Sequence, residues 1–294
     1  MRLVTFLSKL ERQPMAGIVL DKQVAPLNAF GAFPDSIMDL IRQGPAEWQR
    51  LRQIATVAPS RSLHLDDVTL LAPIARPGRN VMCLGWNYSA HVDESARATG
   101  KAVQLPEHPV VFTKAPTSIN SPTGDIVFSP NLTEQLDWEV ELGVIIGIPG
   151  KQIAREQALE HVFGYTVIND VSARDLQQRH GQFFLGKSLD GACPMGPWIV
   201  TADEIPDPQN LTLRTYVNDV LKQSGTTSNQ IFPVAETISI LSRGMTLEAG
   251  DVIATGTPDG VGFARTPPEF LRDGDVVACE IEGIGRIQNR VVAG

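Results

Sequence analysis

The chain has 294 residues, of which 43% are hydrophobic and 20% charged, a composition typical of a globular protein with one large domain or a large and a small one. The formal charge of −8, without a cluster of Lys or Arg, argues against a nucleic-acid-binding surface. The apolar stretch at the start of the chain is too short for a signal peptide or a membrane span, and three widely spaced cysteines without a CxxC pair favour a reducing, cytoplasmic location.

Residues 1–72 are predicted to form a small N-terminal α/β unit. The pattern indicates short strands in 6–11, 16–21 and 23–30, followed by helical segments in 35–44 and 45–56. Two prolines and a glycine between residues 65 and 80 are typical of a linker. We therefore expect two domains, 1–72 and 73–294.

The second domain is predicted to be built mainly of strands separated by Gly, Pro, Asn and Asp turns. Few helices are expected, in 88–98, 154–162 and 233–244. This pattern favours an α+β, predominantly β fold over alternating βαβ units. The predicted strands are 80–88, 109–114, 125–130, 136–148, 162–170, 196–203, 211–219, 251–258 and 275–292.

Three acidic residues in apolar strand patterns are candidate metal ligands. Glu139 and Glu141 are two residues apart in "LDWEVELGVIIG", so they project from the same face of a strand, and Asp170 follows the apolar run "GYTVIN". Oxygen ligands without Cys or His favour Mg²⁺, or else Mn²⁺ or Ca²⁺. The alternative is a solvated strand face with incidental charges.

His91 and Glu94 are candidates for a general base that activates a water molecule. They are three residues apart in "GWNYSAHVDES", so in a helix they share a face and a carboxylate can orient the imidazole. This helix could serve as a mobile lid. On spacing alone, a solvated pair on an exposed helix explains the pattern as well.

Basic residues in or after apolar segments are candidates for substrate contact. Lys187 in "FFLGKSLDG" and Lys114 in "VVFTKAPTS" could polarise a carbonyl group or pair with a carboxylate, or else be surface lysines. Arg174 and Gln177 in "VSARDLQQRHG" could bind a substrate carboxylate, or else belong to a structural ion-pair cluster.

The glycine-rich segment "IATGTPDGVG" lacks the features of a phosphate loop or a dinucleotide fingerprint. It is predicted first to be a turn. Backbone N–H groups around Gly256 and Thr257 could hold a substrate oxyanion. No nucleophile elbow and no cysteine with an evident histidine partner occurs, so nucleophilic catalysis is not expected.

Taken in order, six segments closely resemble the fumarylacetoacetate hydrolase family, in its bacterial type with a short N-terminal domain. The resemblance covers roughly residues 75–292. The segments are "GWNYSAHVDES", "VVFTKAPTS", "DWEVELGVIIG", "GYTVINDVSARDLQ", "FFLGKSLDGACPMGPWIV" and "IATGTPDGVG".

The resemblance implies a mixed β-sandwich roll, a homodimer and a divalent cation, most simply Mg²⁺. It implies that Trp86 stands where some relatives carry arginine. It also assigns roles to the candidate residues: the metal ligands are Glu139, Glu141 and Asp170, the catalytic residues are His91, Glu94 and Lys187, and the substrate-binding residues are Lys114, Arg174, Gln177, Gly256 and Thr257.

The same resemblance leads us to expect a hydrolase that cleaves a C–C bond in a 1,3-dicarbonyl or acylpyruvate-like 2-oxo acid, in the catabolism of aromatic compounds. The apparatus would equally serve an oxaloacetate-type decarboxylase or a 2-hydroxymuconate-type isomerase or lyase. A non-catalytic protein that binds small diacids is a third hypothesis.

Overall fold

Two large β-sheets dominate the structure, a computed structural model that describes residues 1–9, 13–100 and 104–294. One sheet has 12 strands and the other five. No helix within these ranges is long and apolar enough to cross a membrane. The predicted α+β, predominantly β fold is confirmed.

The described part of the first 72 residues forms five strands and two α-helices. Both predicted helices are present, whereas the predicted strand 23–30 ends early and continues as a 3-10 helix. The end of the predicted strand 6–11 lies outside the described residues. The elements are β1 (Arg2–Ser8), β2 (Met15–Leu20), β3 (Gln23–Pro26), a 3-10 helix (Leu27–Phe30), α1 (Ile37–Gln43), α2 (Pro45–Ile54), β4 (Leu63–His64), a 3-10 helix (Leu65–Asp67) and β5 (Val68–Leu71).

The rest of the chain alternates strands with short helices. The strands are β6 (Val81–Gly85), β7 (Val110–Lys114), β8 (Ile119–Asn120), β9 (Ile126–Phe128), β10 (Leu136–Asp137), β11 (Val140–Ile146), β12 (Val162–Asn169), β13 (Ser172–Ala173), β14 (Cys193–Thr201), β15 (Thr212–Val217), β16 (Val220–Thr226), β17 (Val252–Ala254), β18 (Val276–Ile281) and β19 (Gly285–Ala293). The α-helices are α3 (Ser89–Thr99), α4 (Arg174–Arg179), α5 (Phe184–Lys187) and α6 (Val234–Ser242). The 3-10 helices are Pro116–Ser118, Arg155–His161, Ala202–Glu204, Thr227–Asn229 and Gly262–Ala264.

The long strand predicted in 136–148 is interrupted at residues 138 and 139, between β10 and β11. Side chains replace the sheet ladder at this point. The Trp138 N–H donates to Asp137 Oδ1 at 2.8 Å, and the Glu139 N–H donates to Asn169 Oδ1 at 3.1 Å. A backbone that bonds to side chains leaves the strand geometry, which a pattern of hydrophobicity does not reveal.

β11 and β12 lie at the centre of the large sheet and are buried along their whole length. They pair antiparallel, and β17 pairs with the other edge of β11. Leu142 and Val144 pack in the core shared with the five-stranded sheet, whereas Ile145 packs in the core on the other face. Because strand side chains alternate, Glu141 projects toward the same face as Ile145, away from the five-stranded sheet.

The first 72 residues are joined to the rest of the large sheet by strand pairing. β1 pairs antiparallel with β14, where Leu3 faces Ile199. The N-terminal ammonium group donates to Thr201 Oγ1 at 2.6 Å. Residues 72–80 have no regular secondary structure, which is typical of a linker. The predicted linker, 65–80, also contains β5, so part of it is a strand. The boundary near residue 73 stays a prediction.

We expect Leu3→Ala to lower the free energy of unfolding of the whole chain by about 2–5 kcal/mol, because Leu3 is fully buried in a core that also contains Ile199. Leu221, which is 48% exposed, supplies the control, and Leu221→Ala should change stability by less than ~0.5 kcal/mol. Denaturant unfolding would measure both. Two separate transitions, of which Leu3→Ala shifts only one, would show instead that residues 1–72 fold independently.

Candidate active site

Three buried carboxylates meet where β11 begins and β12 ends. Glu141 lies in β11, Glu139 immediately precedes that strand, and Asp170 immediately follows β12. One ligand oxygen of each lies within 4.8 Å of the others. The Asp170 N–H donates to the Glu139 carbonyl oxygen at 2.8 Å, which holds the two segments together. The structure thus brings the three predicted ligands together, with Glu139 in the strand break.

Two buried lysines neutralise part of this charge. Lys187 Nζ lies 2.6 Å from Glu139 Oε2 and 2.8 Å from Asp170 Oδ2. Lys114 Nζ lies 2.7 Å from Asp170 Oδ1 and donates to the Val171 carbonyl oxygen. Burial alone would lower the pKa of Lys187, but the carboxylates of Asp170 and Glu139 raise it above the usual lysine value. The ammonium group therefore stays protonated.

Glu139 and Glu141 differ sharply in their charged surroundings. Burial opposes the ionisation of Glu139, but Lys187 and Arg174 lower its pKa to about 2. Burial and the neighbouring carboxylates of Asp170 and Glu139 raise the pKa of Glu141 well above its usual value. No Lys, Arg or His within the described ranges forms an ion pair with Glu141, whose Oε2 accepts the Gly256 N–H at 2.7 Å.

Among the described residues, four buried carboxylates therefore share this region with three buried lysine and arginine side chains. The carboxylates, Asp137, Glu139, Glu141 and Asp170, are named here the acid cluster, and the cations are Lys114, Arg174 and Lys187. An uncompensated carboxylate inside a protein is costly unless it is protonated or meets a cation. Three convergent oxygen ligands with an excess of negative charge fit a hard divalent cation.

Asp137 is a site residue that the sequence analysis missed. Its carboxylate accepts hydrogen bonds from Arg174 Nε at 2.8 Å, from the Gly262 N–H at 2.7 Å and from the Phe263 N–H at 3.0 Å. Arg174 in turn lies 2.6 Å from Glu139 Oε1 through Nη2. The alternation that singled out positions 139 and 141 includes position 137, so the same signal could have found it.

His91 and Glu94 lie on α3, which begins just after the fully buried Asn87. The amide of Asn87 donates to the carbonyl oxygens of Thr255 at 2.7 Å and Phe232 at 3.1 Å, which anchors the start of the helix. His91 Nδ1 lies 2.8 Å from Glu94 Oε1. Glu94 Oε2 accepts the Gly260 N–H at 2.8 Å. The pair is buried, so the alternative of a solvated surface pair does not describe it.

The turn after β17 makes hydrogen bonds to β11, the strand that carries Glu141. Gly256 has a φ of 93°, and a Cβ at this position would approach Asn87 Cβ to 2.7 Å, so only glycine fits without a shift. Its N–H holds Glu141 Oε2. Thr257 Oγ1 donates to the Val140 carbonyl oxygen at 2.9 Å and accepts from Gln223 Nε2 at 2.8 Å. Gln223 is a second residue that the sequence analysis did not identify.

A cleft of about 780 Å³ opens onto these groups. Of the predicted site residues, those that line it are His91, Glu139, Glu141, Arg174, Gln177, Lys187 and Thr257. Glu94, Lys114, Asp170 and Gly256 lie directly behind them, in contact with protein groups. Lining residues without a predicted role include Ser95, Phe112, Gln135, Phe183, Phe263 and Phe270.

The three cysteines are buried and free. Burial raises the pKa of the Cys193 and Cys279 thiols to about 12, and it also raises the pKa of Cys83 well above its usual value. A thiol that stays protonated is a poor nucleophile. This agrees with the expectation that cysteine does no nucleophilic chemistry here.

The family model described as Fumarylacetoacetate (FAA) hydrolase C-terminal matches residues 80–292. Oxaloacetate tautomerase YisK of Bacillus subtilis (strain 168) is 47% identical over 283 residues, which cover 93% of this chain and 92% of that protein. The mitochondrial oxaloacetate tautomerase FAHD2A of Homo sapiens is 43% identical over 272 residues, which cover 92% of this chain and 84% of that protein.

Two of the similar solved structures align with this chain over the full length of both chains. The fumarylacetoacetate hydrolase of Exiguobacterium antarcticum has a TM-score of 0.85 and 44% identity. The maleylpyruvate hydrolase of Sphingobium sp. SYK-6, in complex with manganese(II) and pyruvate, has a TM-score of 0.77 and 30% identity. The buried acids of the present chain could bind a metal, and a related structure contains one.

The prediction of a C–C hydrolase in aromatic catabolism is wrong, because the relatives above at 43% and 47% identity are oxaloacetate tautomerases. Their names favour the alternative, an oxaloacetate-type decarboxylase or a 2-hydroxymuconate-type isomerase or lyase on the same scaffold, over the hydrolase. The same predicted site residues were expected to serve either chemistry, so motifs alone could not separate the two.

The family model covers well over half of the chain, and relatives and solved structures agree with it along nearly the full length. The fold and the order of the six sequence segments are consistent with the same assignment. The chain belongs to the fumarylacetoacetate hydrolase family.

Proposed function

We propose that the chain is a metal-dependent tautomerase that interconverts the keto and enol forms of oxaloacetate. The observation that carries the proposal is the 47% identity, over 93% of the chain, to an oxaloacetate tautomerase. The buried acid cluster and the His91–Glu94 pair supply groups that such a reaction needs.

Keto–enol conversion moves a proton and breaks no C–C bond. A base takes a proton from C3, the electron pair of that C–H bond becomes the C2=C3 double bond, and the C2 oxygen gains a proton. The reaction needs a proton acceptor near C3, a donor near the C2 oxygen, and positive charge to stabilise the oxygen as its negative charge develops. No attacking water takes part.

Glu139, Glu141 and Asp170 would hold the divalent cation, and Mg²⁺ or Mn²⁺ suits three oxygen ligands. When bound, the cation would supply positive charge to the oxygens of the 2-oxo acid and make the C3 proton more acidic. The deficit of positive charge around Glu141 supports this assignment.

His91 would carry the proton to and from C3. Because Nδ1 is held by Glu94 at 2.8 Å, Nε2 is the nitrogen left for a substrate in the cleft that His91 lines. Glu94 is itself fixed by the Gly260 N–H. An imidazole oriented by a carboxylate is a common general base in proton transfer.

Lys187 would donate to the C2 oxygen. An ammonium group has three N–H donors, and Glu139 and Asp170 occupy two of them. The third is left for a ligand in the cleft that Lys187 lines. A protonated lysine at this position stabilises the oxygen that becomes negative during the reaction.

The second carboxylate of oxaloacetate is assigned to amide donors. Arg174 lines the cleft, but its guanidinium is ion-paired with both Asp137 and Glu139. Its Nη1 donates to Gln177 Oε1 at 3.1 Å, so the NH₂ group of that amide is left as a hydrogen-bond donor. The side chains of Gln135 and Gln177 both line the cleft and offer neutral donors. The predicted substrate contacts of Lys114 and Gly256, the homodimer and the cytoplasmic location stay predictions.

We expect His91→Asn to slow the enzymatic conversion of enol to keto oxaloacetate by about 10²–10⁴-fold, because a positioned acid–base group contributes that much. Metal content should not change, since His91 is not a ligand. The decay of the ultraviolet absorbance of the enol measures the rate. His108→Asn, at an exposed position, should leave the rate unchanged.

A normal rate in His91→Asn would contradict the proton-transfer role assigned to this residue. Pyruvate release at the rate of oxaloacetate consumption would show a decarboxylase instead of a tautomerase. Deuterium should enter C3 during turnover in D₂O, and its absence would also contradict the proposal.

Glu139→Gln and Glu141→Gln should both abolish tight metal binding, yet affect the metal-free chain differently. Glu139→Gln leaves the buried Lys187 and Arg174 without one of their carboxylates and should destabilise the chelated protein by about 3–5 kcal/mol. Glu141→Gln removes a carboxylate that has no cation, so stability should stay equal or rise. Unfolding with excess chelator measures both, with the exposed Glu160→Gln as control. Equal destabilisation by the two changes would contradict the charge distribution described here.

A further inference from the structure

Three half-buried aromatic rings form a continuous wall of the cleft. The rings of Phe112 and Phe183 lie 5.5 Å apart between centroids at an angle of 69°. Those of Trp86 and Phe183 lie 6.2 Å apart at 76°. All three side chains line the cleft. Phe112, Phe183 and Trp86 are named here the aromatic wall.

The aromatic wall begins at the acid cluster. Lys187 Nζ, which holds Glu139 and Asp170, lies 5.0 Å from the centroid of the Phe112 ring. From Phe112 the wall continues through Phe183 to Trp86. A 2-oxo acid whose oxygens lie at the acid cluster therefore has aromatic surface within reach of its C3 substituent.

The charges in the cleft do not require that this substituent be anionic. Among the described residues, the only lysine and arginine that line the cleft are Lys187 and Arg174, and each is already ion-paired with two carboxylates. An apolar ring needs no cation, and aromatic rings pack favourably edge-to-face. The cleft of about 780 Å³ is also far larger than a four-carbon acid needs.

The position of Trp86 is held under backbone strain. Trp86 has a φ of 55°, in the left-handed region that residues other than glycine rarely adopt. The next residue, Asn87, is fully buried and bonded to the carbonyl oxygens of Thr255 and Phe232. Strain of this kind persists where the surroundings enforce it, and it clusters at ligand sites.

We infer that the cleft accepts arylpyruvates as a second class of substrate, with the aryl group on the aromatic wall, and interconverts their keto and enol forms. The step balances without a co-reactant. The benzylic C3–H bond breaks, its electron pair forms the C2=C3 double bond, the C2=O π pair moves to oxygen, and that oxygen takes one proton. The inference rests on the proposed tautomerase chemistry for turnover, but the binding of the aryl group does not.

Binding is measured first, with two 2-oxo acids that lack a C3 hydrogen and cannot enolise. Benzoylformate carries a phenyl ring, and trimethylpyruvate carries a tert-butyl group. Calorimetry on the manganese-loaded protein should show tighter binding of benzoylformate. Phe183→Leu should raise the dissociation constant of benzoylformate roughly tenfold relative to that of trimethylpyruvate. Phe184→Leu, at an adjacent residue that is 40% exposed and does not line the cleft, should change neither.

Turnover is measured with phenylpyruvate, by the loss of enol absorbance and by deuterium exchange at C3. We expect conversion well above the uncatalysed rate, and a roughly tenfold shift in kcat/KM against phenylpyruvate, relative to oxaloacetate, in Phe183→Leu. Equal binding of the two non-enolisable acids, or binding of phenylpyruvate without turnover while oxaloacetate is converted, would overturn the inference. Turnover of phenylpyruvate without turnover of oxaloacetate would support it and overturn the oxaloacetate assignment. If neither is converted, the proposed function and the arylpyruvate activity both fall.

Discussion

Asp137, Glu139, Glu141 and Asp170 are buried beside one another, and an ionised carboxylate removed from water costs several kcal/mol unless a cation faces it. Lys114, Arg174 and Lys187 meet this demand for three of the four acids, through ion pairs of 2.6–2.8 Å. Glu141 is left with one backbone N–H. This one carboxylate without a cation supports the proposed divalent cation and its position beside Glu141.

Strand pairing and buried hydrogen bonds hold the four acids beside one another despite the cost of burying their charges. The antiparallel pairing of β11 with β12 places the start of one strand beside the end of the other, so Glu139 and Asp170 must meet. Asn87, held by Thr255 and Phe232, fixes the start of the helix that carries His91. His91 and the acid cluster thus belong to elements joined by buried hydrogen bonds, and the proposed proton transfer from carbon requires such fixed positions.

Local sequence patterns could predict much of the candidate site, because its residues lie in short segments of the chain. Alternation found Glu139 and Glu141, and helical spacing found His91 and Glu94. The pattern could not show that Asp137 clamps Arg174, that Gly256 donates its N–H to Glu141, or that Lys114 lies behind Asp170, since these contacts join residues 37 to 115 positions apart. The fold class followed from composition and turn signals. The break at residue 138 did not, because side-chain hydrogen bonds replace the ladder there.

We propose that the acid cluster holds one divalent cation and that proton transfer at carbon depends on this ion. The most direct test strips the protein of metal with a chelator, titrates Mn²⁺ back, and follows bound ion by electron paramagnetic resonance together with the rate of oxaloacetate tautomerisation. Binding should saturate at one ion per chain, and activity should return in proportion to the bound ion. Full activity in the stripped protein, before any ion is bound, would show that proton transfer does not depend on the cation.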